Sequence, residues 1–176
     1  MTKFVIPVVT GAFIFAGTVN AVAQQVDRND RSQPTSGEIA MATECRDTYT
    51  RMRELEKLLD ANRDENAALD IKVKKSGKTL DELQNLFEKK SAKSQESDEA
   101  YQAALAAKRD YEAAAAAHNT LIDEQDQVAK KRTVLTDEFF VVNPNYVTKC
   151  SGTIFKALSV ILTCKDEQSE WCDLLK

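Results

Sequence analysis

Apolar residues in the first half of the chain recur at alternating spacings of three and four, which is the spacing of one face of a coiled-coil helix. Ten of the fourteen positions in this stripe are apolar, whereas 43% of the whole chain is hydrophobic. Such an excess predicts a long helix that buries this face against a partner helix. The stripe, called the first seam, comprises Met41, Cys45, Thr48, Met52, Leu55, Leu59, Asn62, Asn66, Leu69, Val73, Ser76, Leu80, Leu83 and Phe87.

A second stripe with the same spacing follows and predicts a second long helix. Its first half is rich in alanine, including the run at residues 113–117, and alanine favours helix and lets a partner helix approach closely. Two seams of similar length predict an all-α fold: an elongated antiparallel helical hairpin, or coiled coil, over residues 39–142. The second seam comprises Ala100, Ala104, Ala107, Tyr111, Ala114, His118, Leu121, Gln125, Val128, Arg132, Leu135, Phe139 and Val142.

The reversal between the two helices has two candidate positions. Residues 91–99 are polar, and Ser97 followed by two acidic residues is a suitable helix N-cap, so we expect the turn near Ser94. The alternative is a reversal at Gly77, since glycine often ends helices. The first seam passes through position 77 without a slip, which favours Ser94, but the sequence leaves both positions open.

The segments that flank the hairpin are less regular. Residues 24–38 are polar and broken by Pro34 and Gly37, which predicts a disordered leader. A helix is expected to start between residues 38 and 43, where Thr35 with Glu38 offers a capping box.

The C-terminal segment, residues 143–176, is predicted to form a short helical cap. Asn143-Pro144-Asn145 has the composition of a turn and is expected to end the second helix. Beyond it, apolar residues recur at helical spacing, and such short apolar elements must pack on the hairpin or on a partner. We therefore expect the partner-binding surface to include Phe155, Leu158, Ile161, Leu162 and Trp171.

The first 23 residues have the features of a cleavable signal peptide. Lys3 supplies a positive charge, residues 4–17 are uncharged and mostly apolar, and Ala21-Val22-Ala23 matches a cleavage site. This segment predicts a periplasmic or secreted protein. The alternative is an uncleaved membrane anchor, because residues 4–23 are uncharged and have about the length that a bilayer requires. Contact with a membrane is expected only in that case.

Four cysteines follow the signal segment, and an even number in an exported chain predicts two disulfides. If the helices reverse in the polar segment, Cys45 lies at the open end of the hairpin, where Cys150 can reach it. A helix over residues 151–164 would separate Cys150 from Cys164 by roughly 21 Å, which is too far for a bond. We therefore expect the pairs Cys45–Cys150 and Cys164–Cys172.

Charge and motifs narrow the class of function. Removal of Lys3 with the signal peptide leaves 23 basic and 28 acidic residues, a net charge of 23 − 28 = −5, which argues against nucleic-acid binding. The sequence has no phosphate-binding loop, HExxH zinc motif, EF-hand loop or GxSxG element. His118, the only histidine, lies on the second seam and is expected to be a tolerated polar position. We therefore predict no enzymatic activity, no metal site and no cofactor.

Two long seams without a catalytic motif favour a binding protein. We expect a non-enzymatic exported coiled-coil protein that binds a protein partner or client, as an adaptor or a holdase. The alternative is a membrane-anchored stalk that spans an envelope gap through an uncleaved N-terminal segment. The seams can pair within one chain or between two, so the pattern is also compatible with a homo-oligomer.

Polar residues on the seams are expected to set the register of the helices. In a hairpin that turns near Ser94, Asn62 and Asn66 lie at the level of Gln125 and Leu121. A polar residue inside a seam costs stability but selects one register and orientation. The competing interpretation is that these positions are only weakly buried.

Overall fold

The computed structural model describes residues 25–166 and 168–175, so the predicted signal peptide lies outside the described residues. Two long helices, α1 (Ser36–Ser91) and α2 (Asp98–Lys149), make up most of the described chain. They pack along each other in opposite directions, which confirms the predicted all-α helical hairpin. The described residues also contain four short elements: β1 (Gln25–Asp27), β2 (Ile154–Lys156), α3 (Ala157–Thr163) and α4 (Glu170–Leu174).

The start of α1 is fixed by a capping box. The Thr35 hydroxyl accepts a hydrogen bond from the Glu38 amide at 3.2 Å, and the Thr35 amide donates to Glu38 Oε2 at 2.7 Å. The helix therefore begins at Ser36, slightly earlier than the predicted window of residues 38–43. Lys156 Nζ lies 2.9 Å from Glu38 Oε1 and ties β2 to this end of α1.

The reversal lies at residues 92–97, which confirms the turn predicted near Ser94. Ser97 caps α2, since its hydroxyl accepts a hydrogen bond from a first-turn amide at 3.2 Å. Gly77, the alternative position, lies inside α1 at its contact with α2, where an added Cβ would lie 3.6 Å from His118 Cε1. This glycine therefore lies at a close approach of the two helices and not in a turn.

The buried faces of α1 and α2 follow the predicted seams. All seam positions are buried or half-buried except Met41 and Arg132. Met41 is 47% exposed because it lies beyond the level at which α2 ends, and Arg132 keeps its charged group in water. The periodic pattern therefore identified the contact between the helices along nearly its whole length.

Helix α2 continues five residues beyond Pro144, so the prediction of a turn at residues 143–145 is wrong. A proline inside a helix removes one backbone hydrogen bond and costs about 3 kcal/mol. Packing offsets that cost, because Tyr146 is 8% exposed and its ring centroid lies 5.6 Å from that of Tyr49 on α1. The helix then ends at Cys150, which is bonded to α1.

The C-terminal segment is less helical than predicted. The sequence predicts a helix over residues 151–164, whereas the structure has β2 followed by the seven-residue helix α3. The residues of β2 alternate, since Phe155 is 4% exposed and Ile154 is 63% exposed. Both are apolar, so the sequence pattern did not separate the face of a strand from the face of a helix.

Part of the predicted disordered leader belongs to a small parallel sheet. Val26 packs on the hydrophobic core, while its neighbours at positions 25 and 27 are exposed. A three-residue strand with one apolar residue carries no periodic signal, so the prediction of a disordered leader over residues 24–38 is wrong for β1 and for the first turn of α1. The register of the sheet is Gln25↔Ile154, Val26↔Phe155 and Asp27↔Lys156.

The hairpin has two parts of different build, which meet at the ion pair of Arg51 with Glu138. The base is defined as residues 25–55 and 138–175, and the arm as residues 56–137. The arm is a pair of helices with a buried seam. The base has a core of its own, formed by Ala42, Cys45, Tyr49, Met52, Tyr146, Cys150, Phe155, Val160, Trp171, Cys172 and Leu175.

Candidate functional site

Two disulfides close the base, and both are the predicted pairs. Cys45 on α1 is bonded to Cys150, the C-cap residue of α2, with Cα atoms 5.6 Å apart. Cys164, after α3, is bonded to Cys172 on α4, with Cα atoms 5.8 Å apart. The first bond joins the two ends of the hairpin, and the second folds α4 back towards α3. Together they indicate a non-cytoplasmic, oxidising compartment, where structural disulfides persist.

The second disulfide holds Trp171 in the core of the base. Ser169 caps α4 by accepting a hydrogen bond from the Cys172 amide at 3.3 Å, which starts the short helix that carries Trp171. The Trp171 side chain is fully buried, and its ring meets that of Phe155 edge-on at a centroid distance of 5.7 Å. Within the part of the chain that the structure describes, its Nε1 has no hydrogen-bond partner. Trp171 therefore fills the core of the base.

Polar contacts tie the C-terminal elements to α1. Arg46 Nη1 donates to the carbonyl oxygen of Thr163, where α3 ends, at 2.8 Å. Arg53 Nε lies 3.2 Å from Glu170 Oε1, and Tyr49 Oη donates to the same oxygen at 3.3 Å. Hydrogen bonding to Glu170 raises the pKa of Arg53, and burial together with the Glu170 charge raises the pKa of Tyr49. Both side chains stay protonated at neutral pH, so these contacts position α4.

The ion pair between Arg51 and Glu138 joins α1 to α2 where the base meets the arm. It is bidentate, with Arg51 Nε 2.7 Å from Glu138 Oε1 and Arg51 Nη2 2.9 Å from Glu138 Oε2. Hydrogen bonding from Arg51 lowers the pKa of the Glu138 carboxyl and correspondingly raises the pKa of Arg51. This geometry fixes the register of the two helices close to the first disulfide.

Two polar contacts lie on the seam of the arm. Asn62 is 1% exposed and donates from Nδ2 to the carbonyl oxygen of Val128 at 3.0 Å, close to the level of Gln125 at which the sequence places it. Its Oδ1 is buried and has no hydrogen-bond partner among the described residues. His118 Nδ1 lies 2.8 Å from Ser76 Oγ across the seam. Both contacts specify how the two helices align.

The structure divides the five residues predicted to bind a partner. Phe155 and Trp171 lie in the core, and Leu158 is half-buried. Ile161 and Leu162 are 60% and 45% exposed on α3. The two aromatic residues therefore build the base, and only the exposed aliphatic residues of α3 remain accessible on its surface.

A larger apolar surface lies on the outer face of α2 and was missed by the sequence analysis. Residues 139–148 carry no charge, and at 100° per residue four apolar residues among them face away from the seam: Phe140, Val141, Pro144 and Val147. All four are exposed, Val141 to 72%. This group is called the outer stripe. The absence of charge over residues 139–148 was a sequence signal for this surface. It was missed because the turn predicted at residues 143–145 ended the helix before Pro144 and Val147.

The base has a shallow polar groove beside α4. The groove, of about 380 Å³, opens to solvent between α1 and the segment before α4 and is lined by polar and charged side chains: Asp47, Thr50, Arg51, Glu54, Gln168 and Ser169. In the ranges 25–166 and 168–175, no group of three or more His, Cys, Asp or Glu side chains is placed to hold a metal ion.

Among the residues described, no helix has both the length and the apolar character that crossing a membrane requires. No protein-family model, curated protein or solved structure matches the chain. The candidate site is therefore defined by geometry: a disulfide-closed base that presents the outer stripe of α2 and the exposed residues of α3.

Proposed function

We propose that the protein is a non-enzymatic exported coiled-coil protein that binds a protein partner through the apolar surface of its base. The outer stripe of α2 is the main contact surface. Ile161 and Leu162 of α3 form a second exposed apolar site on the same base. The partner in this proposal is a protein with a complementary apolar surface.

The observation that carries the proposal is the concentration of exposed apolar side chains at the base. Thirteen large hydrophobic residues of the described chain are exposed, and eight of them lie in the base although the arm is longer. A helix on a protein surface normally carries polar residues opposite its buried face. Contiguous exposed apolar patches mark sites of protein interaction, whereas single exposed apolar residues do not. The eight residues are Met41, Phe140, Val141, Val147, Ile154, Ile161, Leu162 and Leu174.

The build of the base supports a binding role. A surface held in one shape before binding loses little conformational entropy when the partner arrives. The outer stripe lies directly before Cys150, which joins α2 to α1, and on the helix whose inner face is packed by Tyr146. The stripe is therefore presented by a rigid element.

The compartment of this function is proposed from two features. The disulfides indicate an oxidising environment, and the predicted signal peptide over residues 1–23 favours the periplasm or the cell exterior. A partner is therefore expected among exported or envelope proteins.

The proposal is tested by photo-crosslinking in the cells that produce the protein. A photo-reactive amino acid at Val147 should crosslink to one partner protein, and Val141→Glu should reduce that product at least tenfold because it places a charge in the contact. Ile71→Glu is the matched control, since Ile71 is 69% exposed on the arm. A product that both variants weaken equally, or that Val141→Glu leaves unchanged, would contradict the proposal. A crosslink to a second copy of the chain would show that the partner is the protein itself and that the surface forms a homo-oligomer.

A membrane-anchored stalk is the second candidate, favoured by the position of β1. Gln25 pairs with β2 in the base, so the preceding segment joins the molecule there and not at the turn of the hairpin. Helix α2, with 52 residues, extends over roughly 78 Å at 1.5 Å per residue. The intact mass of protein purified from its native source distinguishes the two candidates. Retention of residues 1–23 supports the stalk, and their loss removes it.

A further inference from the structure

The two disulfides join cysteines that are neighbours in sequence. Four cysteines allow three pairings, and only the observed one bonds each cysteine to the next one along the chain. The sequence separations are 105 and 8 residues, and the two loops follow each other without crossing or nesting. The bond of Cys45 with Cys150 can therefore form without any contribution from Cys164 or Cys172.

The hairpin helices alone bring the first pair of sulfur atoms together. Cys45 lies on the first seam, and Cys150 directly follows the last turn of α2. The ring contact of Tyr49 with Tyr146 and the ion pair at the boundary with the arm fix the helix register near this bond. All of these residues belong to α1, α2 or the α2 C-cap. The first pair is thus aligned as soon as α1 and α2 pack together.

The second pair is local to the C-terminal segment. Eight residues separate Cys164 from Cys172, and the cap at Ser169 starts the helix that carries Cys172. Once Cys45 and Cys150 are bonded, these two cysteines are the only thiols left in the described chain. No wrong partner then remains for either of them.

The strongest competing bond would join Cys150 to Cys164. These residues are 164 − 150 = 14 positions apart. In an unstructured chain, loop closure becomes less probable with about the 3/2 power of loop length, so this bond would be favoured about twentyfold over the loop of 105 residues. Native pairing therefore depends on α1 and α2 packing together before Cys150 reacts.

We infer that the protein matures by two successive dithiol oxidations and needs no disulfide isomerisation. In each step a cysteine thiolate attacks the disulfide of a thiol–disulfide oxidant, forms a mixed disulfide with one sulfur and reduces the other to a thiol. The second cysteine thiolate then attacks the mixed disulfide and displaces the first sulfur of the oxidant as a thiol as well. The two protein thiols lose two electrons and two protons, and the disulfide of the oxidant gains both. The finished Cys45–Cys150 bond resists further exchange, because both of its cysteines are 1% exposed.

The inference is tested by oxidising the reduced protein in native buffer with a glutathione redox couple. Intermediates are trapped by alkylation at intervals and assigned by peptide mapping. The native pairs should be the only bonds that accumulate, with the same yield in the presence or absence of a disulfide isomerase. A Cys150–Cys164 bond that accumulates and is removed only by the isomerase would overturn the inference.

Two controls show whether the hairpin directs the pairing. In concentrated urea, the Cys150–Cys164 bond should exceed the Cys45–Cys150 bond about twentyfold, and an excess of native bonds there would contradict the role given to the hairpin. In native buffer, Leu55→Asp should increase the non-native bond, because Leu55 is fully buried on the seam. Ile71→Asp, on the exposed side of α1, should leave native pairing unchanged.

A measurement in cells covers the case in which a variant fails to fold. The unmodified protein is exported in a host that lacks either its dithiol oxidase or its disulfide isomerase. Loss of the oxidase should leave free thiols, whereas loss of the isomerase should leave both native bonds at the unmodified level. A fall in native bonds in the host without isomerase would overturn the inference.

Discussion

The base and the arm use the same two helices but hold them in different ways. In the base, β2, α3 and α4 add a further layer to the hairpin, and residues such as Leu55 and Trp171 are fully buried. In the arm, two helices share one seam, where Ala104 is buried but Leu80 and Leu83 are only half-buried. A helix pair without a third layer leaves its seam at the edge of water, so it removes less apolar area from solvent for each residue.

This difference indicates a division of roles along one molecule. The base has covalent bonds, a core and ion pairs between sequence-distant residues, so we expect it to resist local opening. The arm depends on a continuous seam, and elements with few buried contacts open at lower free energy. Most of the exposed large apolar residues lie in the base, which is the part with the disulfides and the core. A surface on the base is therefore held more firmly than a surface on the arm, which is why the proposed contact is assigned to the base.

The largest expected effect comes from breaking the bond that closes the base. Cys45→Ser opens a loop of 105 residues, and chain entropy predicts a loss of about 4 to 5 kcal/mol in the free energy of unfolding. Thermal or urea unfolding measures this loss, and Cys150 should become reactive to alkylation.

Cys172→Ser is the matched control for that prediction. It opens a loop of only 8 residues, for which the same model gives about 2 to 3 kcal/mol. It should free Cys164 and leave Cys150 bonded. Equal losses in the two variants would show that loop length does not govern the stability of the base.

Removal of the central side chain of the base should have the next largest effect. Trp171→Ala leaves a large cavity at a fully buried position, and such truncations cost about 3 to 5 kcal/mol. Leu174→Ala on the same helix is the control, because Leu174 is 61% exposed and its truncation should change stability little. Hydrogen exchange should show faster opening of the base in Trp171→Ala. Faster exchange confined to the arm would contradict the assignment of Trp171 to the core of the base.

The sequence predicted the long helices, whose pattern extends over many residues, and the contacts that follow from how two such helices align. The seams repeat over dozens of positions, and the pair Cys45–Cys150 follows from the level of Cys45 opposite the end of α2. The bond between Cys150 and Cys164 was excluded by a helix over residues 151–164 that the structure does not contain, so that part of the pairing was right for a wrong reason. The strand β1 was missed because it is too short to give a periodic signal. It has three residues, and only Val26 packs on the core.

Local propensity failed where tertiary packing outweighed it. Pro144 favours a helix end, yet the burial of Tyr146 and the bond at Cys150 keep α2 helical through it. The same misjudged proline hid the outer stripe, because a helix that ends at residue 142 contains only Phe140 and Val141 of its four residues. Phe155 and Trp171 were predicted to bind a partner because the sequence shows that they are apolar but not which side they face.

A smaller effect, of opposite sign, is expected in the arm. Asn62→Leu removes a buried Oδ1 that has no partner among the described residues and adds apolar area to the seam, so stability should rise by about 1 kcal/mol. The gain should come with a loss of specificity, because a polar seam residue selects register and oligomeric state. Thermal unfolding measures the first effect, and sedimentation measures the second as a larger fraction of intermolecular species. Asn66→Leu, at a half-buried position, is the control and should show a smaller gain in stability and a smaller fraction of intermolecular species. An Asn62→Leu protein that is less stable than the unmodified protein would contradict the assignment of Asn62 as a residue that costs stability and selects register.

The smallest expected effect is the acid sensitivity of the base. Hydrogen bonding from Arg51 lowers the pKa of Glu138, and the Thr35 amide followed by Lys156 lowers the pKa of Glu38. A carboxyl whose pKa is lower in the folded state contributes stability that is fully present above its unfolded pKa, about 4.5 here, and is lost as the pH falls through the folded pKa. The melting temperature should therefore be level from pH 7 to about pH 5 and decline below about pH 4.5.

Glu138→Gln distinguishes this mechanism from general acid unfolding. The variant should start from a slightly lower melting temperature at pH 7, because the bidentate contact with Arg51 is weakened, and should lose less than the unmodified protein between pH 5 and pH 3. Glu124→Gln, at an exposed position of the arm, is the matched control and should keep the decline of the unmodified protein. The size of the effect is limited by solvent screening, since both groups of the pair are exposed to more than a third. Parallel declines in all three proteins would show that acid acts elsewhere than at the junction of base and arm.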